Sequence, residues 1–269
     1  MKSLLIKSAI ASGIVLSLAT ATRPVMASSF TVSIEQDVEL SNLVNYHVQN
    51  FDAQIQGSSP TGFTWTDAGT KIGSYTNTLI ENADQYGGAG GTGRYFDVDT
   101  SRSGNGQTVS TLNLTTAQNY FGLWWSAGDD SNALTFLSKG VVVETITTAD
   151  VVKYIAGLAN KATYYGNPNS AFKGQDNNEP FAFINFYDVA GTFDQVQFSN
   201  IDKNGNISGT GFESDNHTVA TGYKSITGNV VTRAVPESSS LFAVFVIGFV
   251  GATSVMTRRV NKKSVLQLS

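Results

Sequence analysis

An all-β fold, a single antiparallel β-sandwich of jelly-roll type with one short connecting helix, is what the middle of this chain predicts. Three observations carry that prediction. Apolar and polar residues alternate with period two in about ten short runs, as in strands with one buried face. Clusters of Gly, Asn and Asp separate the runs, and only one internal segment has helical spacing.

The first strand is expected from Phe30 to Leu40. There Phe30, Val32, Ile34, Gln36, Val38 and Leu40 interleave with Thr31, Ser33, Glu35, Asp37 and Glu39. Similar runs follow at Tyr95–Val98, Val109–Leu114, Tyr120–Trp125, Ala133–Leu137 and Val141–Ile146. The last ones are Phe181–Tyr187, Phe193–Phe198, Thr218–Tyr223 and Ile226–Val231. Between them, Thr148, Ala149 and Asp150 are placed to cap a helical turn carrying Val151, Val152, Ile155 and Leu158 on one side. Gly87–Gly93 reads as a loop that needs partners to stay fixed, and Gly166-Asn167-Pro168-Asn169 as a tight turn.

The two ends read as addresses. Residues 1–27 have the parts of a signal peptide: Lys2 and Lys7, an apolar core from Ile10 to Ala21, and Val25-Met26-Ala27 before the expected cleavage. The β-sandwich domain then occupies 28–231, followed by a linker, 232–240, that contains Val235-Pro236-Glu237. An expected transmembrane helix spans 241–257; its apolar run to Met256 is about 24 Å long at ~1.5 Å per residue, a short fit to a ~30 Å hydrocarbon core. Arg258, Arg259, Lys262 and Lys263 make 258–269 a basic tail on the cytoplasmic side. The expected partners of these ends are the secretion translocon and the membrane.

Charge separates the ends from the middle. Seven of the seventeen Lys and Arg lie in the terminal segments, which leaves ten against twenty-one acids, or −11, where the whole chain carries −4. A balance this acidic excludes nucleic acid as a partner, because phosphate must be neutralised by Lys and Arg. It favours neutral, cationic or metal-bridged partners. The chain has no cysteine, so an exported domain must be held by core burial alone.

Val-Pro-Glu, a serine-rich step, a short apolar helix and Arg-Arg resemble the PEP-CTERM tails of Gram-negative bacterial proteins. Ser238 stands where that motif usually has a second proline. The resemblance implies Val235, Pro236 and Glu237 as a sorting motif read by an exosortase-like processing enzyme. A second resemblance lies in Tyr120-Phe121-Gly122-Leu123-Trp124-Trp125-Ser126-Ala127-Gly128-Asp129, Tyr165-Gly166-Asn167-Pro168-Asn169, Glu179-Pro180-Phe181-Ala182-Phe183 and Gly211-Phe212-Glu213-Ser214-Asp215-Asn216-His217. Those segments look like a family of exosortase-dependent surface proteins, which implies a secreted β-domain with a sorting tail and no defined biochemistry.

Motifs for chemistry are sparse. Gly88, Gly90 and Gly93 satisfy G-x-G-x-x-G, but an alternating strand follows where dinucleotide binding requires a helix. Glu35, Asp37 and Glu39 would share one strand face; the pattern resembles the E-x-D-x-E strand of retaining β-glucanases, with Glu35 as nucleophile and Glu39 as acid/base. A charged face on an edge strand is the plainer reading. Asp202, Asn204, Asn206, Ser208, Thr210 and Glu213 copy the spacing of a calcium-binding EF-hand loop without its glycine or helices. Gly128-Asp129-Asp130-Ser131-Asn132 and Asp176-Asn177-Asn178-Glu179 add oxygen ligands without diagnostic spacing. With His47 and His217 as the only histidines, a zinc site is poorly supplied.

In Tyr120–Trp125 one alternating set should line the core; the other is a candidate to reach the opposite face, where Tyr or Trp beside Asp and Asn suits sugar recognition, although burial of both sets is the plainer reading. The sequence therefore predicts a non-enzymatic protein with no catalytic residue, metal site or cofactor. It is exported and either membrane-anchored or released to the surface or extracellular matrix of a Gram-negative-type bacterium, with exopolysaccharide as candidate ligand. A glycoside hydrolase built on Glu35, Asp37 and Glu39, and a calcium-dependent adhesin, are the alternatives.

Overall fold

The computed structural model describes residues 30–37, 39–99, 108–201 and 211–231. The expected signal segment, the Val235-Pro236-Glu237 motif, the apolar run 241–257 and the basic tail lie outside the described residues. Among the described residues, no helix is long and apolar enough to cross a membrane.

The chain builds β1 (Phe30–Glu35), β2 (Leu43–Gln49), β3 (Gly57–Ser59), β4 (Phe63–Asp67) and β5 (Thr70–Thr76). Next come β6 (Thr78–Asn82), β7 (Arg94–Asp97), β8 (Val109–Gln118), β9 (Tyr120–Ser126), β10 (Asn132–Ser138) and β11 (Val141–Thr147). One helix, α1 (Thr148–Ala156), precedes β12 (Ala182–Asp188), β13 (Phe193–Asn200), β14 (Glu213–Tyr223) and β15 (Asn229–Val231). A nine-stranded sheet has the order β15-β1-β12-β9-β14-β7-β6-β3, with β2 also paired to β14; a six-stranded sheet has the order β11-β10-β13-β8-β5-β4. Both sheets are antiparallel, so the fold is an all-β sandwich, as the alternation predicts.

The core lies between the sheets. Val32, Ile34, Phe121, Leu123 and Trp125 of the larger sheet meet Leu112, Leu134, Phe136, Val196 and Phe198 of the smaller one, each at 0% exposure. Two tight hairpins set the register. Ala68 (φ 46°) with Gly69 (φ 81°), and Lys139 (φ 51°) with Gly140 (φ 75°), supply the paired positive φ angles of two-residue turns that match strand twist.

Several expectations need correction. The first strand ends at Glu35 and not at Leu40, because Glu39 accepts from the Ser41 amide and caps a 3₁₀ turn at Leu40–Asn42. Asn42 then accepts from the Ser225 amide at 2.8 Å, where the chain enters β2 and pairs with β14. Strands β2 to β6 form where the sequence pattern had suggested none; β2 exposes Val44 and Tyr46, so its apolar residues do not mark a buried face. Ile226 lies in a loop, since β15 starts only at Asn229. In α1 a capping box joins Thr147 and Asp150, and Val151, Tyr154 and Ile155 are buried. Val152 sits one residue off that stripe and is 37% exposed.

Candidate functional site

The outer face of the nine-stranded sheet is where side chains meet a cavity. Along β9, Phe121, Leu123 and Trp125 enter the core, so the alternation of a strand sends Tyr120, Gly122 and Trp124 the other way. Phe183 on β12 stands directly across from Trp124, and these two form an outer cluster with Phe181 and Ala127. Gly122 is what lets the floor lie flat: a Cβ there would fall 2.8 Å from the Phe183 ring and 2.4 Å from Tyr120 Oη. Trp124 is 9% exposed, and its Nε1–H has no hydrogen-bond acceptor among the described residues. An unsatisfied buried donor costs about 1–3 kcal/mol and is the kind of strain that ligand sites hold.

Walls rise from three loops. Gly87–Gly93 finds the partners it needs: Asp215 Oδ2 accepts from the Ala89 amide at 2.8 Å, and Asn169 Nδ2 donates to the Gly88 carbonyl at 3.1 Å. Asn167 Nδ2 ties the same wall to the Gln85 carbonyl at 2.9 Å. The resulting cleft has a volume of about 590 Å³, with Trp124, Phe181 and Phe183 as floor and Ala89 and Gly90 as one wall. Gln36, Asp37, Thr163, Asn169 and Asn216 bring amide, hydroxyl and carboxylate groups to its rim. That size lies within the usual range for small-molecule sites, ~300–1,000 Å³.

Asp215 is the buried charge beside this cleft. Burial, opposed by hydrogen bonds from the Ala89 and Asn216 amides, pushes its carboxyl up to about 7. Both oxygens are engaged by those amides, so it holds the wall to β14 instead of reaching into the cavity.

The Glu35, Asp37 and Glu39 set does not assemble on one strand face. Glu35 closes β1 and accepts from Asn185 Nδ2 at 2.6 Å and Thr227 Oγ1 at 3.3 Å; burial raises its carboxyl above the ordinary value. Asp37 is exposed on the cleft rim, and Glu39 caps the following turn. Glu213, the last position of the EF-hand-like spacing, lies in β14 opposite Ser126 at 3% exposure; Asp202, Asn204, Asn206, Ser208 and Thr210 lie outside the described residues. The G-x-G-x-x-G run leads into β7, a strand. Among the described residues, no group of three or more His, Asp or Glu is arranged to hold a metal ion.

Two acidic loops do come together. Gly128 N donates to the Pro180 carbonyl at 3.5 Å, and Glu179 is pushed up to about 7 by burial first and then by Asp176 and Asp129. The two histidines have separate roles. His47 Nδ1 lies 2.7 Å from Asp67 Oδ2 near the surface. His217 is fully buried, with Ser214 Oγ at 2.9 Å and Tyr75 Oη at 3.0 Å. Phe198 stacks on its ring at 4.7 Å, and burial lowers its proton affinity well below the ordinary histidine value. Serine and histidine bonded in this way resemble a catalytic pair, yet all three groups have 0% exposure and no substrate can reach them.

No family model matches the chain, and neither a curated protein nor a solved structure is similar to it.

The cleft was half legible in the sequence. Alternation made Tyr120 with Trp124, or Phe121 with Trp125, the candidate outward set without choosing between them, and the Gly166–Asn169 turn signal marked the segment that carries Asn169. Asn216 was missed because it reaches the rim through an irregularity in β14 that no periodic pattern reveals: Asp215 pairs with Trp124, whereas Thr218 already pairs with Gly122.

Proposed function

We propose that this chain is an exported, C-terminally sorted surface or matrix protein whose β-domain binds exopolysaccharide in the outer cleft without turning it over. The observation that carries the reading is the floor of Trp124 and Phe183 beneath a rim of amide and hydroxyl groups. A pyranose ring offers an apolar face for stacking on aromatics, and hydroxyls for directed bonds to Asn, Gln and Thr. The fold adds support of a weaker kind. Strands β7-β14-β9-β12 facing β8-β13-β10-β11 follow the order of a jelly roll, an architecture that includes lectins. Binding without hydrolysis fits the rim: glycoside hydrolysis generally employs two carboxyl groups, and among the described residues Asp37 is the only carboxylate lining the cleft.

Full-length protein in a non-glycosidic detergent should retard on polysaccharide affinity gels. Trp124→Ala should weaken that binding about tenfold, the size of a lost stacking contact. Asn169→Ala at the rim should weaken it without touching the core. Binding to no polysaccharide, or binding indifferent to both substitutions, would refute the reading.

The sorting part rests on the termini. The secretion translocon would act at residues 1–27, and an exosortase-like enzyme at Val235-Pro236-Glu237. Intact-mass measurement of native protein should show a chain beginning at Ser28 and, after processing, ending near Glu237. A mass that retains both ends refutes it.

A further inference from the structure

The charge around the cleft has one sign. Asp37 is exposed on its rim and carries the charge there; Asp215, buried against the wall at Ala89 with its carboxyl pushed up to about 7, is largely protonated at mildly acidic pH and adds none. Among the described residues, no lysine or arginine lines the cavity. The remaining rim groups, Gln36, Thr163, Asn169 and Asn216, are neutral, and Lys161, two residues before Thr163, is exposed and not among the lining residues. Taken with the −11 balance of residues between the two end segments, the cavity is an anionic mouth over an aromatic floor.

That combination has a chemical preference. A cation over an indole or phenyl face is attracted by the ring, and a carboxylate beside it completes the pairing. A uronic acid would instead bring its carboxylate toward Asp37 and find no cation among the described lining residues. Resting on the sugar-binding reading above, we infer that the cleft selects a polysaccharide bearing free amino groups and seats a protonated amino sugar between the Asp37 carboxylate and the faces of Trp124 and Phe183. The neutral rim amides hold the hydroxyls of the same residue, and the negative potential draws the polymer in.

The test uses full-length protein and four probes of matched length at mildly acidic pH: a chitosan oligosaccharide, its fully N-acetylated form, an oligogalacturonate and an oligolysine. The chitosan oligomer should bind about three- to tenfold more tightly than the acetylated one, the effect of a partly exposed ion pair with a ring contact. Its advantage should vanish in about 0.5 M salt, where screening is nearly complete within a few ångströms. Oligogalacturonate should not bind. Asp37→Asn should abolish the chitosan preference, so that the variant binds the two chito-oligomers with equal affinity; Asp37 is exposed, so the fold does not depend on it.

Equal affinity for both chito-oligomers, unmoved by Asp37→Asn, overturns the charge selection while leaving sugar binding intact. Oligolysine binding as tightly as chitosan overturns the sugar as occupant. Failure of both chito-oligomers to bind, with another polysaccharide retained, also ends the amino-sugar inference. Failure of every polysaccharide ends the parent reading with it.

Discussion

Replacing Asp215 with asparagine should change the shape of the stability–pH curve. The folded carboxyl sits at about 7 against 3.8 for the free group, mainly through burial. Its folded pKa is raised, so its stabilising contribution is full below the unfolded value and is lost as pH rises through the folded one. Between about pH 4 and 7 the unfolded chain releases a proton that the folded chain keeps. At roughly 1.4 kcal/mol per unit, the three-unit difference costs the native state on the order of 4 kcal/mol at neutral pH. Removal of the ionisable group removes that cost.

Asparagine introduces an opposing one. Asp215 accepts from Ala89 through Oδ2 and from Asn216 through Oδ1, and an amide has only one acceptor oxygen. One backbone N–H then faces an NH₂ group, a loss of about 1–2 kcal/mol. The variant should be less stable than the parent at pH 4, cross it near pH 5 and exceed it by about 2 kcal/mol at pH 8. Urea unfolding followed by fluorescence of Trp65, Trp124 and Trp125 measures this. The difference between the two proteins isolates Asp215, because other titrating groups cancel. Parallel curves from pH 4 to 8 would refute the raised carboxyl.

In a variant lacking the carboxyls of Asp215, Glu179 and Glu35, stability should fall by about 1.4 kcal/mol per pH unit below 6.5, because unfolded His217 gains a proton that the buried ring refuses; a flat profile contradicts this. Gly122→Ala should cost about 1–3 kcal/mol and reduce polysaccharide binding together, since its Cβ meets Phe183 and Tyr120; unchanged affinity gels would count against the flat floor. Asp67→Asn should cost less than about 1 kcal/mol, with the loss shrinking in salt, because the His47–Asp67 pair is partly exposed; a larger loss in denaturation would show a tighter structural role.

What the sequence revealed follows from the range of the forces involved. Strands β8 to β13 were readable because their apolar runs are long and bounded by turn residues, although β9 and β12 are buried at every position, so alternation left open which β9 aromatics leave the core. The first strand was overextended because alternation continues through Glu39, while a local contact, Glu39 to the Ser41 amide, turns the chain away. Strands β3 and β6 stayed hidden because three and five residues of mixed polarity acquire their pairing from distant neighbours. The walls of the cleft belong to the same class: Asp215 reaches Ala89 across 126 positions, and Asn169 reaches Gly88 across 81.

One irregularity in β14 connects the core to the cleft. Asn216 and His217 together stand opposite the single residue Leu123, so the strand carries an extra residue and its alternation shifts there. His217 turns inward, where Phe51, Phe96, Phe121 and Phe198 surround its ring and Tyr75 and Ser214 satisfy its nitrogens. Asn216, at φ 50°, turns outward to the rim, and its backbone N–H and that of Ala89 both bond Asp215. Asparagine tolerates that left-handed conformation better than other polar side chains, so the residue suited to the bend is also one that can bond a sugar hydroxyl. A regular strand continuing from Asp215, which pairs with outward-facing Trp124, would send Asn216 inward and His217 outward; the extra residue reverses both. The bulge therefore couples the packing that fixes the sandwich to the geometry that forms the cleft, and changes in either should be felt in the other.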